Sequence, residues 1–124
     1  MKLTLKNAKK TDLFVHLCKN LHQICDTMNF QFNEDYLYVQ SMDSNHICMI
    51  ELRLDSEWFD EYEVDTDDNQ VISVNTNVLQ LILKCKSSEQ SMQFEYEGDP
   101  DTLHISYYEG ATDDFNKEFD MPLL

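Results

Sequence analysis

Apolar and polar residues alternate with period two over Lys2-Leu-Thr-Leu-Lys6, which predicts a strand. The period then changes. Leu13, Phe14, Leu17, Cys18, Leu21, Ile24, Cys25 and Met28 recur every three or four positions, with Asp12, His16, Lys19, Asn20 and Gln23 opposite them. This predicts an amphipathic helix over Asp12–Thr27, with Thr11 as its N-cap and Asp12 in its first turn. Its apolar stripe is too uninterrupted to be anything but core.

Asn29-Phe-Gln-Phe32 and Tyr36-Leu-Tyr-Val-Gln40 flank Asn33-Glu-Asp35 and read as a hairpin. Ile47–Leu54 is a further strand, with Ile50, Leu52 and Leu54 on one side and Glu51 and Arg53 on the other. Glu61–Asp65 predicts a short solvent-facing strand, and Asp65-Thr-Asp-Asp-Asn69 a turn. Val71-Ile-Ser-Val-Asn75 is a strand running into a second helix, capped by Asn75 or Thr76 and ending at Cys85-Lys86. Three last strands fit Ser91–Tyr96, Thr102–Tyr108 and Phe115–Met121. The fold class is therefore α+β: one domain over residues 1–124, with two helices packed on an antiparallel sheet of about nine strands. No internal repeat is apparent by eye, and two Gly and two Pro leave no linker.

The candidate chemistry is sparse. Cys18, Cys25, Cys48 and Cys85 form no Cys-x-x-Cys pair, and His16, His22, His46 and His104 lack a metal spacing, so no metal or cofactor is expected. Cys18 and Cys25 fall on the apolar side of the first helix and read as buried thiols. The acidic turn at 65–69 lacks the Gly and closing Glu of a calcium loop. No phosphate loop or Gly-x-Ser-x-Gly elbow occurs, and His104 has no evident nucleophile, so the chain is not expected to be an enzyme. No apolar run approaches the roughly 20 residues that span a bilayer, and the first residues lack a signal-peptide core. An intracellular protein without a membrane partner is the expectation.

A net charge of −15 speaks against nucleic acid until its distribution is considered. Residues 8–27 carry +1 and residues 76–86 carry +2, which leaves −18 on the rest. Five of the nine basic residues, Lys9, Lys10, Lys19, Lys84 and Lys86, thus lie in or beside the two helices. Lysines at a helix C-terminus also satisfy the macrodipole, so the segregation has a purely local reading as well.

One segment is odd for a soluble hairpin. Val39-Gln-Ser-Met-Asp-Ser-Asn-His46 places a Met in a polar turn and is followed by Ile47 and Met49. It resembles the turn Leu-Gln-Ser-Met-Asp-Ser-Ser-His of the proliferating cell nuclear antigen family, the eukaryotic sliding clamps. The opening strand and helix, Ile82-Leu-Lys-Cys85, Asp101-Thr-Leu103 and the closing Phe119-Asp-Met-Pro-Leu-Leu124 match that family in the same order. The resemblance covers the whole chain but half of the family's usual subunit, so the second clamp domain is expected to be absent from this chain. A one-domain clamp that assembles more copies is the alternative.

The resemblance implies a DNA sliding clamp and polymerase processivity factor, a non-catalytic scaffold that encircles DNA as a ring-shaped trimer. In such rings the helices line the hole. Lys9, Lys10, Lys19, Lys84 and Lys86 would then face double-stranded DNA without sequence preference, with His16 and His22 beside them. Leu81, Val15 and His16 stand where relatives commonly carry lysines. Met42, His46, Ile47 and Met49 would line the groove for PIP-box peptides of DNA polymerase and other replication and repair proteins. Lys117, Phe119 and Met121 would lie on the strand that pairs with a neighbouring subunit. A clamp loader is a further implied partner, and the nucleus, or a viral replication site in the host cell, the implied location. Two alternatives remain at this point: a free-standing acidic protein-interaction module, and a checkpoint-clamp subunit.

Overall fold

In the computed structural model, β1 (Lys2–Leu5) leads into α1 (Ala8–Ile24), followed by β2 (Thr27–Phe32), β3 (Tyr36–Met42) and β4 (Met49–Asp55). A 3-10 turn (Ser56–Trp58) and β5 (Glu61–Glu63) precede β6 (Val71–Asn75), α2 (Thr76–Leu83), β7 (Ser91–Glu95), β8 (Thr102–Glu109) and β9 (Thr112–Pro122). The structure describes residues 1–45, 47–64, 71–87, 90–97, 101–109 and 112–124. Among these, the nine strands form two antiparallel sheets, ordered β5-β1-β7-β8-β9 and β4-β3-β2-β6. The α+β fold expected from the sequence is present, with its strands divided between two sheets. His46 and the turn at 65–69 lie outside the described residues.

The two halves of the chain repeat one another. The order β1-α1-β2-β3-β4 recurs as β6-α2-β7-β8-β9, and each half sends its first strand into the other half's sheet: β1 pairs with β7, and β6 pairs with β2. Both helices open on an asparagine with the same extended backbone, Asn7 at φ −76°, ψ 124° and Asn75 at φ −77°, ψ 121°. Each side-chain oxygen accepts from the N–H groups two and three residues on, at 2.9 and 3.2 Å. The repeat is not apparent by eye in the sequence because it resides in backbone topology and in the two capping asparagines, not in an extended run of shared side chains.

Asn7 displaces Thr11 as the cap of α1. Thr11 lies inside the helix, buried, with its hydroxyl donating to the Ala8 carbonyl at 2.9 Å. The helix starts a turn earlier than the periodicity indicates because Asn7 supplies an acceptor where the orphan N–H groups begin. It also stops earlier: Cys25 is extended, and Thr27 and Met28 belong to β2. Met28 reaches the core through strand alternation with Phe30 and Phe32, not through the helical stripe. That stripe narrows to Thr11, Phe14, Cys18 and Leu21, while Leu13 and Ile24 are exposed.

The core lies between the sheets and the helix pair. Phe14 of α1 meets Phe94 of β7 at 5.6 Å, and Leu79 and Leu83 of α2 join Ile105, Tyr107 and Met121 in the same cluster. Full burial of such side chains is worth about 1.5–3 kcal/mol each. Cys18 is part of this cluster, and burial pushes its thiol up to about 12, which removes it from thiolate chemistry. Cys25 is also buried; Cys48 and Cys85 are exposed.

Candidate nucleic-acid interface and partner surface

The helices lie side by side and antiparallel. His22, near the end of α1, approaches Thr76 at the start of α2, with Nδ1 3.3 Å from the hydroxyl oxygen. The Thr76 hydroxyl donates to the Cys25 carbonyl at 2.6 Å, so its one proton is committed and His22 Nδ1 is the donor in their contact. At the other end, the Lys86 ammonium is 3.7 Å from the Asp12 carboxylate of α1. These two contacts fix the pair at both ends, and His22 therefore serves the helix–helix junction.

The five lysines divide by environment. Lys9, Lys19 and Lys84 are exposed on α1 and just after α2. Lys10 donates to the Trp58 carbonyl at 2.9 Å and lies 5.6 Å from the centre of its indole ring, so it binds the 3-10 turn to α1. The Lys86 side chain is only 3% exposed and also donates to the Ser87 carbonyl at 3.0 Å. Two lysines that composition counts as helix-layer charge are thus engaged by the protein itself. Trp58 and Asp12, their partners, carry no sequence signal for the role. His16 is exposed, and Leu13, Val78 and Leu81 add apolar area to the same helix pair.

The far side of the five-stranded sheet is acidic. The strand registers place Glu63, Lys2, Glu95, His104 and Asp120 in one row across all five strands. Lys2 approaches Glu61 at 3.6 Å, and His104 Nδ1 approaches Asp120 at 2.6 Å. Phosphate is repelled by such a row. The helix pair carries the exposed side chains of Lys9, Lys19 and Lys84 instead.

A second surface surrounds the β3–β4 connection. The Asp43 carboxylate accepts from the N–H groups of Ile47 and Cys48 at 2.7 and 2.8 Å, and the Asp43 N–H returns to the Cys48 carbonyl at 2.9 Å. This bonding delays β4 to Met49, two residues after the start that alternation gives. It also turns apolar side chains outward: Met42 is 44% exposed, Ile47 86% and Met49 53%. Gln40 donates to the Met49 sulfur at 3.1 Å. Flexible, polarizable methionines beside an aliphatic anchor suit apolar partner side chains.

The third candidate group lies on β9, which among the described residues is the last strand of its sheet and pairs with β8. Its side chains turn towards the protein. The Lys117 ammonium donates to the Cys85 carbonyl at 2.7 Å and approaches the Ser87 hydroxyl at 3.2 Å, so it ties β9 to the segment that follows α2. Phe119 packs edge-on against Tyr107 at 5.8 Å, and Met121 is buried. What β9 presents outward is its backbone edge, with Glu118 and Asp120 exposed beside it.

Among the described residues no group of His, Cys, Asp and Glu is arranged to hold a metal ion, and no helix is long and apolar enough to cross a membrane. The family model described as proliferating cell nuclear antigen, N-terminal domain, matches residues 3–124.

Proposed function

This chain belongs to the proliferating cell nuclear antigen family, and on that premise we propose that it forms one segment of a ring around double-stranded DNA. Sliding clamps are non-catalytic scaffolds of DNA replication that give polymerases processivity. The observation that carries the finer reading is the asymmetry of charge: Lys9, Lys19 and Lys84 are exposed on the helix pair, and an acidic row crosses the outer sheet face. A ring must hold DNA topologically and still let it slide. A few sequence-blind phosphate contacts meet that need, and acidic outer faces discourage binding elsewhere.

Met42, Ile47 and Met49, with His46 between them in sequence, are the anchor points for partner peptides of the PIP-box kind, carried by DNA polymerase and repair proteins. The open backbone edge of β9 is the junction through which subunits close the ring, a head-to-tail contact that needs no side-chain pocket. A clamp loader opens and shuts that ring at the replication site, in the nucleus or in a viral replication compartment.

Topology supplies the test. Full-length protein loaded on a nicked circular plasmid should stay with the DNA through gel filtration and run off once the plasmid is cut open. Equal retention on circular and linear DNA would overturn the encircling reading.

A further inference from the structure

Three consecutive residues lie between the helix pair and the β3–β4 connection. Cys25 and Asp26 link α1 to β2, and Thr27 opens β2. Each of their carbonyls is bonded to a distant part of the chain. The Cys25 carbonyl accepts from the Thr76 hydroxyl at 2.6 Å, and the Asp26 carbonyl from the Thr76 N–H at 3.0 Å. The Thr27 carbonyl accepts from the Ser41 hydroxyl of β3 at 2.5 Å.

Asp26 touches both surfaces, through different atoms. Thr76 is the first residue of α2, and a helix leaves its first N–H groups without intrahelical partners. Asn75 takes those of Asn77 and Val78, and Asp26 takes that of Thr76, so Asp26 completes the start of α2. His22 of α1 donates to the same threonine. On its other side, the Asp26 carboxylate accepts from the Ser44 hydroxyl at 3.4 Å. Ser44 follows Asp43, whose own carboxylate shapes the backbone at Ile47 and Cys48.

These links differ in strength. Thr76 is buried and its bonds are short, whereas the Ser44–Asp26 bond is long and exposed at both ends. It is the link that a ligand on the turn can tighten or break.

We propose that Asp26 couples the partner surface to the helix pair, so that a peptide on Met42, Ile47 and Met49 and a duplex on the helices strengthen each other's binding. The coupling rests on the reading of those two surfaces given above. A peptide anchored on the turn holds Ser44 against Asp26. Asp26 then holds the start of α2 and the His22 contact in one arrangement, and the duplex meets helices that are already ordered. By linkage the effect is reciprocal. Its size is limited by what one solvent-exposed hydrogen bond carries, about twofold to fivefold in affinity.

The test uses the full-length protein, a short fluorescein-labelled duplex, and a synthetic peptide bearing a Gln, one aliphatic and two aromatic side chains in a helical turn. Anisotropy gives duplex affinity with and without saturating peptide, and their ratio is the readout. It should be about twofold to fivefold in the parent and close to one in Ser44→Ala and Asp26→Ala. Ser44→Thr, which keeps the hydroxyl, should restore it. Without DNA, peptide should move the NMR signals of the Thr76 amide and the His22 ring in the parent and leave them in place in Ser44→Ala. A ratio of one in the parent with both ligands bound overturns the coupling alone, as does the same ratio in parent and Ser44→Ala. Failure of either ligand to bind by itself overturns the reading of its surface, and the coupling with it.

Discussion

The Lys86 ammonium lies 3.7 Å from the Asp12 carboxylate, joining the segment after α2 to the first half of α1. The lysine is almost wholly enclosed and the aspartate is largely exposed, so solvent screens one side of the pair and not the other. Lys84, two residues earlier, is exposed. Two lysines equivalent by composition should therefore fail in different ways. Lys86→Met should lower stability by about 0.5–1.5 kcal/mol in chemical denaturation, because the enclosed ammonium's bond to the Ser87 carbonyl and its ion pair with Asp12 are both lost. Lys84→Glu should leave stability within about 0.5 kcal/mol and, in the assembled ring, weaken DNA binding and flatten its salt dependence. Matching losses of stability in both variants would erase the distinction.

The twin asparagine caps make a second, independent prediction. Asn7→Ala and Asn75→Ala should each cost about 1 kcal/mol, since each removes an acceptor from two N–H groups. Thr11→Val should not reproduce the Asn7 loss at the helix start, because Thr11 bonds inward to Ala8 and caps nothing. Helix content by circular dichroism and the midpoint of urea unfolding report both.

Strand existence and helix count were legible because period two and period 3.6 differ plainly in Lys2–Lys6 and in the stripe from Phe14 to Leu21. Boundaries were less so. Asn7 and Thr11 are both competent caps, and only the position of the first orphan N–H groups decides between them. Met28 satisfies a helical stripe and a strand alternation equally, and the extended backbone at Cys25 assigns it to the strand. The three candidate surfaces were readable as residue types, since an apolar residue in a polar turn is visible in sequence. The private contacts of Lys10, Lys86 and Lys117 were not, because each meets a partner 30 or more residues away, or across a helix pair, with no local pattern.

Alkaline pH should loosen the fold through two groups that burial holds protonated. Burial raises the Cys18 thiol from 9.0 to about 12, and Tyr62 rises from 10.0 to about 12 through burial and the nearby Asp35. In each case the folded state holds its proton where the unfolded chain has lost it. The unfolded state then binds fewer protons, so stability is full below the unfolded values and falls as pH rises from 9.0 towards about 12. The slope for one such group is at most about 1.4 kcal/mol per pH unit. Cys18→Ala should be less stable at neutral pH, having lost core volume, yet decline more shallowly above about pH 9. Parallel decline in the parent and the variant would remove Cys18 as the cause.

The β9 edge offers the sharpest test of assembly. Lys117 and Met121 are committed inward, to the segment after α2 and to the core, so neither side chain is free to grip a neighbour. Phe119 is half-buried against Tyr107, and its loss would slacken the strand that presents the open edge. The edge-on ring contact contributes about 0.5–1.5 kcal/mol beyond burial. In the full-length protein Phe119→Ala should shift ring towards monomer in analytical ultracentrifugation at low micromolar concentration, with circular dichroism showing the domain still folded. Phe119→Leu, which keeps most of the volume, should retain more of the ring. Lys117→Met should leave ring mass unchanged, since its ammonium holds the segment after α2, and should show its loss as faster amide exchange at Cys85 and Lys86. An unchanged ring mass for Phe119→Ala would mean that subunits join through a different edge.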